Sequence, residues 1–178
     1  TKHPLCQRLT SYEALERDER EVLLAFERVP HQALGRFPLS ALRDERDLHM
    51  DMLREPGRRA DAHVVRYTFA SQFVHRQDRV LDAACGLGYG AAIMHDAAGP
   101  VSVRGLDASE YAVDYAAAVF GPRRPRVRFS KADVMDIAQL PDESVDVVTS
   151  FETLEHIADP RSFVRAAARV PGPGGPFL

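Results

Sequence analysis

Val80-Leu81-Asp82-Ala83-Ala84-Cys85-Gly86-Leu87-Gly88-Tyr89-Gly90-Ala91 reads as a short buried strand, a glycine turn and the opening of a helix. Val80, Leu81 and Ala83 are apolar and ask for cover on both faces of a sheet. Gly86, Gly88 and Gly90 remove three Cβ atoms where the chain must turn sharply. Glycine permits positive φ and lets backbone N–H groups come close to a ligand. Residues 89–97 are helix-compatible, so the glycines stand at a helix N-terminus. A turn of this kind, at the carboxyl end of a strand, is where open α/β sheets bind nucleotides.

The glycines alone do not name a ligand. Gly86-x-Gly88-x-x-Ala91 fits a dinucleotide fingerprint, and Asp107 follows about 20 residues later, where a ribose-binding acid belongs. Asp82 at the strand end points elsewhere. A carboxylate there repels a phosphate but tolerates an ammonium or sulfonium. A purely structural glycine turn with no ligand is the remaining reading.

Downstream, strand and helix patterns alternate, which implies a parallel sheet with helical crossovers. Strands are expected over 79–84, 101–107, 126–130 and 145–150. Helices are expected over 89–98, over a segment capped by Ser109 with Ala112, Tyr115, Ala116 and Val119 on one face, and from Asp159-Pro160 to about 170. Phe177-Leu178 opens a fifth strand.

The chain has 178 residues, 45% of them hydrophobic, enough for one sizeable core. Its net charge of −3 argues against nucleic-acid or anionic-membrane partners. It holds no apolar run of membrane-spanning length and no signal-like start, so a cytoplasmic setting is expected. Two cysteines, Cys6 and Cys85, suggest neither a disulfide framework nor a zinc cluster. Cys85 reads as a small residue beside the glycines.

Residues 1–57 read as an all-helical extension, ahead of an α/β domain over 58–178. Thr10-x-x-Glu13 is a capping box before a stripe of Leu15, Val22, Leu23 and Phe26; Ser40 caps a second helix with Leu42, Leu48, Met52 and Leu53. This extension is expected to cover the acceptor side of the cleft, or to serve dimerisation. A third helix is expected over about 59–74, with Ala62, Val65, Phe69 and Phe73 on one face. Arg66-Tyr67 lies on it.

Val-Leu-Asp-x-x-Cys-Gly-x-Gly-x-Gly closely resembles motif I of the class I S-adenosylmethionine-dependent methyltransferases, and the resemblance runs through four motifs from about Val64 to Leu178. It implies an α/β, doubly wound, mostly parallel Rossmann-like sheet and S-adenosylmethionine as cofactor, with S-adenosylhomocysteine as product. Ala84, Gly86 and Gly88 would then border the cofactor, and Asp82 would bind its ammonium. Asp107 would accept both ribose hydroxyls, or else only support the next helix N-terminus, and Ala108 beside it would border the cofactor. Asp133 and Val134 would read the adenine, with Asp136 as an alternative; Asp133 as a turn residue is the plainer reading. Tyr67 would approach the methionine end, or simply pack.

Phe151-Glu152-Thr153-Leu154-Glu155-His156-Ile157 looks like motif IV of the ubiquinone-biosynthesis type. It would set Phe151 near the cofactor and Glu152 at the mouth. The implied reaction is methyl transfer by in-line displacement to an oxygen, nitrogen or carbon of a small-molecule acceptor. His156 is the candidate general base, with local packing as its other reading. No metal site is evident. The rivals are an NAD-dependent oxidoreductase and a non-catalytic cofactor-binding module. A complete sheet of this class has seven strands, so the chain is expected to be the amino-terminal part of a longer polypeptide; the alternative is a second subunit covering the open sheet edge.

Overall fold

The computed structural model describes residues 51–54 and 57–178. In chain order the elements are α1 (Arg58–Ala70), β1 (Arg79–Ala83), α2 (Tyr89–Ala98), β2 (Ser102–Asp107), α3 (Glu110–Val119), β3 (Val127–Lys131), β4 (Val147–Thr149) and α4 (Pro160–Arg169). The four strands form one parallel sheet in the order β3-β2-β1-β4. Beyond β4, Phe177 bridges Val148 in parallel, and the Leu178 N–H donates to the Val148 carbonyl. The expected fifth strand therefore opens at that edge.

Two cores sandwich the sheet. On one face Val80, Val103, Val127 and Val147 meet α1, α2 and α3. On the other, Leu81, Leu106 and Val148 meet Phe163, Ala166 and Ala167 of α4. Alternate residues of β1 serve opposite faces, as the period of two demands. Burial on both sides explains why β1 reads as an apolar run. The face expected on α3 is buried throughout, and its Ser109 cap accepts from the Ala112 N–H at 3.2 Å.

On α1 the outcome differs. Ala60, Val64, Tyr67 and Ala70 are buried, whereas Phe69 and Phe73, expected on one face with Ala62 and Val65, are exposed and stack edge-on with centroids 5.1 Å apart. The helix carries two apolar stripes. Packing selected the one whose small residues admit α2 and whose Tyr67 hydroxyl finds a buried partner. The α-helix also stops at Ala70, and a 3-10 turn carries Ser71–Phe73. β4 is shorter than expected, because Val145 bridges Pro171 outside the ladder.

Most of 1–57 lies outside the described residues. At its described end, Asp51 to Arg54 form a hydrogen-bonded turn where the second helix was expected. Met52 and Leu53 are buried in the main core. The Tyr115 hydroxyl donates to Asp51 Oδ2 at 2.5 Å. Among the described residues no helix is long and apolar enough to cross a membrane.

Candidate functional site

A cleft of about 1070 Å³ opens at the carboxyl ends of the strands. Its floor is the loop between β1 and α2, where Ala84, Gly86 and Gly88 all take positive φ (61°, 53° and 82°). The loop is tied across to β2: the Cys85 N–H donates to the Leu106 carbonyl at 2.8 Å, and the Gly86 N–H donates to Asp107 Oδ2 at 2.8 Å. Ala84 and Gly86 line the cleft. Gly88 stands outside its wall. A Cβ there would fall 2.5 Å from Ala116 Cβ and 2.7 Å from the Phe129 ring, so this glycine permits the close approach of α3 and β3.

Asp107 and Ala108 line the cleft at the end of β2. The other Asp107 oxygen accepts from the Ser109 N–H at 2.9 Å. The carboxylate thus supports the start of α3, as the plainer sequence reading held, and also latches the glycine loop. Each oxygen keeps a lone pair for a further donor. Asp133 and Val134 line the cleft after β3. Asp133 Oδ1 accepts from Met135 N–H at 2.8 Å, and Asp136 completes a capping box with it. Asp136, which accepts from the Asp133 N–H at 3.2 Å, lies outside the cleft lining. Val134 is the first residue of that turn, where an N–H has no partner within it.

The opposite wall is aromatic. Tyr67 from α1, Tyr89 from α2 and Phe151 after β4 all line it. Tyr67 meets Phe151 edge-on at 4.9 Å and Tyr89 at 5.6 Å. Tyr67 thus packs within the core and also lines the cleft.

Asp82 lies behind this wall, fully buried. Its register partner on β4 is Thr149. The Thr149 and Tyr67 hydroxyls both donate to Oδ1, at 2.8 and 3.2 Å, while Oδ2 has no partner. Burial pushes the carboxyl up to about 7, against the two hydroxyl donors that favour its charged form.

At the mouth, Glu152 takes φ 53° and pairs with Arg66 at 3.0 Å, joining α1 to the segment after β4. His156 is exposed on the 3-10 turn Leu154–His156 and borders the cleft. His63 was missed in the sequence. It lines the cleft with Nδ1 3.0 Å from the Tyr89 hydroxyl. Burial and then Arg66 lower its pKa, which favours the neutral imidazole. The signal was its position: His63 precedes Tyr67 by one helical turn on the same face.

Residues 81–178 match the family described as methyltransferase domain. A probable S-adenosylmethionine-dependent methyltransferase of Mycolicibacterium smegmatis is 43% identical over 99 residues, which is 56% of this chain and 36% of that protein. A ubiquinone biosynthesis O-methyltransferase of Hydrogenovibrio crunogenus is 33% identical over 112 residues, 62% of this chain and 46% of that protein. Among solved structures, one from the complex between the Haloferax volcanii Trm112 methyltransferase activator and a methyltransferase superposes with a TM-score of 0.58 at 32% identity. It covers 65% of this chain and 50% of its own. The chain thus spans about a third to a half of the length of these relatives.

Proposed function

Because this chain belongs to the methyltransferase-domain family, whose match covers more than half of it, we propose that it binds S-adenosylmethionine and moves the methyl group to an oxygen, nitrogen or carbon of a small-molecule acceptor. The observation that carries the reading is Asp107. It stands at the carboxyl end of β2, in the cleft, latched to the glycine loop by Gly86. The donor set fits the cofactor. Asp107 has lone pairs left for two ribose hydroxyls. The Val134 N–H and the Asp133 carboxylate suit an adenine edge. The buried carboxyl of Asp82 suits a cation rather than a phosphate.

When bound, S-adenosylmethionine supplies an electrophilic methyl carbon on its sulfonium. The chain's own contribution is to orient. Tyr67, Tyr89 and Phe151 form a rigid aromatic wall that excludes water from the methionine end, and Asp107 fixes the adenosine end. Orientation of this kind accounts for much of the barrier lowering when the cofactor is already activated. For an oxygen acceptor we assign the proton to His156, whose ring borders the cleft. A relative named as an O-methyltransferase supports an oxygen acceptor.

Residues 1–57 are assigned to the acceptor side of the cleft, with dimerisation as their other use; Met52 in the lining supports the former. The cytoplasmic setting expected from the composition belongs to the same proposal. The deciding experiment is calorimetric titration with S-adenosylhomocysteine and, separately, with NAD. Binding of the first alone supports the proposal. Binding of NAD alone overturns it in favour of an oxidoreductase. Cofactor binding without methyl release onto any of a panel of phenols, amines and carboxylic acids would favour a non-catalytic module.

A further inference from the structure

Among the described residues, Asp82 is a buried titratable group with an incomplete environment. It has no exposed surface, and one of its oxygens has no partner. The groups that face it come from every neighbouring element. Tyr67 comes from α1, Thr149 from β4, Tyr89 from α2, Cys85 from the glycine loop and Asp107 from the end of β2. Tyr67, Tyr89 and Cys85 are all driven toward their neutral forms, first by burial and then, among other influences, by Asp82. The one charged group acting on Asp82 among the described residues is therefore Asp107, of like sign. A carboxylate enclosed in this way, with no cation beside it, is costly in its charged form.

The wall in front of Asp82 is thin. Tyr67, which donates to it, and Ala84, two residues along, both border the cleft. A cation held against that wall acts on Asp82 through low-dielectric protein, where Coulomb interactions are strong. We infer that Asp82 carries a proton in the ligand-free protein and releases it to solvent when a cationic ligand occupies the cleft, so that cofactor binding and proton release are coupled. The O–H bond of the carboxylic acid breaks, the proton leaves to buffer, and the resulting carboxylate is balanced by the ligand's positive charge. The inference rests on the cofactor reading above and deepens it, because it assigns the positive end of the ligand to the Tyr67–Ala84 wall.

Burial pushes the Asp82 carboxyl up to about 7, which sets the pH window. Release should be roughly 0.9 proton per ligand at pH 6, roughly 0.5 at pH 7 and close to none at pH 8.5. The test is titration calorimetry with S-adenosylhomocysteine, repeated at each pH in phosphate and in Tris. The difference in apparent enthalpy between the two buffers counts the protons released.

Three comparisons isolate the source. Adenosine, which has no ammonium, should bind without release. Asp82→Asn should bind S-adenosylhomocysteine without release. Thr149→Val removes one donor that favours the carboxylate, so its release midpoint should move to higher pH; this variant keeps the test open if Asp82→Asn does not fold. Equal enthalpies in both buffers at pH 6 with clear binding would overturn the coupling and leave the cofactor reading intact. Release with adenosine, or release that persists in Asp82→Asn, would overturn it as well. No binding of S-adenosylhomocysteine would remove the cofactor reading and the coupling together.

Discussion

The ring of Tyr67 occupies the space that a side chain on Gly90 would need: a Cβ built there falls 2.1 Å from Tyr67 Cζ. The ring is buried and pinned by its hydroxyl on Asp82 and by edge contacts to Tyr89 and Phe151. The glycine on α2 and the tyrosine on α1 are thus one packing unit, and the wall of the cleft depends on both.

Gly90→Ala follows directly. By helix propensity alone the change would stabilise by about 1 kcal/mol. The pinned ring cannot move aside cheaply, so a net loss of about 1–3 kcal/mol is expected from overpacking. Urea denaturation decides the sign. An increase in stability would show that the Tyr67 ring is free to shift.

Asp107→Ala removes the acceptor for the Gly86 and Ser109 N–H groups and, on the proposed reading, for the ribose. S-adenosylhomocysteine affinity should fall by about 1.5–3 kcal/mol, the size of hydrogen bonds to a charged group. Calorimetry on a folded variant that retained full affinity would end the ribose assignment.

Asp82 also makes stability depend on pH. Burial pushes its carboxyl up to about 7 in the folded chain, against about 3.9 when unfolded. Between those values the folded state binds the extra proton, so stability is fullest below about pH 4 and declines as pH rises through 7. Asp82→Asn should flatten that decline and be the more stable protein at pH 8. Parallel melts at pH 5 and pH 8, with no change in the gap between the two proteins, would contradict this.

Away from the cleft, Arg124 is buried and grips Asp96 with three contacts, at 2.5, 3.0 and 3.1 Å. Burial tends to raise the Asp96 pKa, but His95 and Arg124 together hold it below the ordinary value. The pair therefore stabilises above the unfolded carboxylate pKa, and its contribution fades as pH falls through the folded one. Arg124→Leu should cost about 2–3 kcal/mol at pH 7. That is less than the 3–5 typical of a fully buried pair, because Asp96 is partly exposed. The cost should shrink at pH 3, and equal losses at both pH values would refute the ion-pair account.

Much of the fold was legible because its signals are local. Gly86 and Gly88 adopt the positive φ that their residue type allows, and Ser109 caps the helix it precedes. The alternation of apolar strands with capped helices was enough to define a parallel sheet, and the acids at strand ends marked the side on which the cleft would open.

What the sequence by itself determined, then, is everything set by residues a few positions apart: the strand–glycine–helix unit, the helix caps and the strand-end places of Asp82, Asp107 and Asp133. Only the tertiary structure decided which stripe of α1 went inside, that Gly88 packs while Gly86 borders the cleft, and that Asp82 stands behind the wall rather than in it. It also brought His63 to Tyr89 and Thr149 to Asp82, 67 residues apart. The physical reason is that burial and hydrogen-bond satisfaction are properties of what meets across space. Two apolar stripes on one helix are equivalent until a neighbouring glycine leaves room for the tyrosine of one of them.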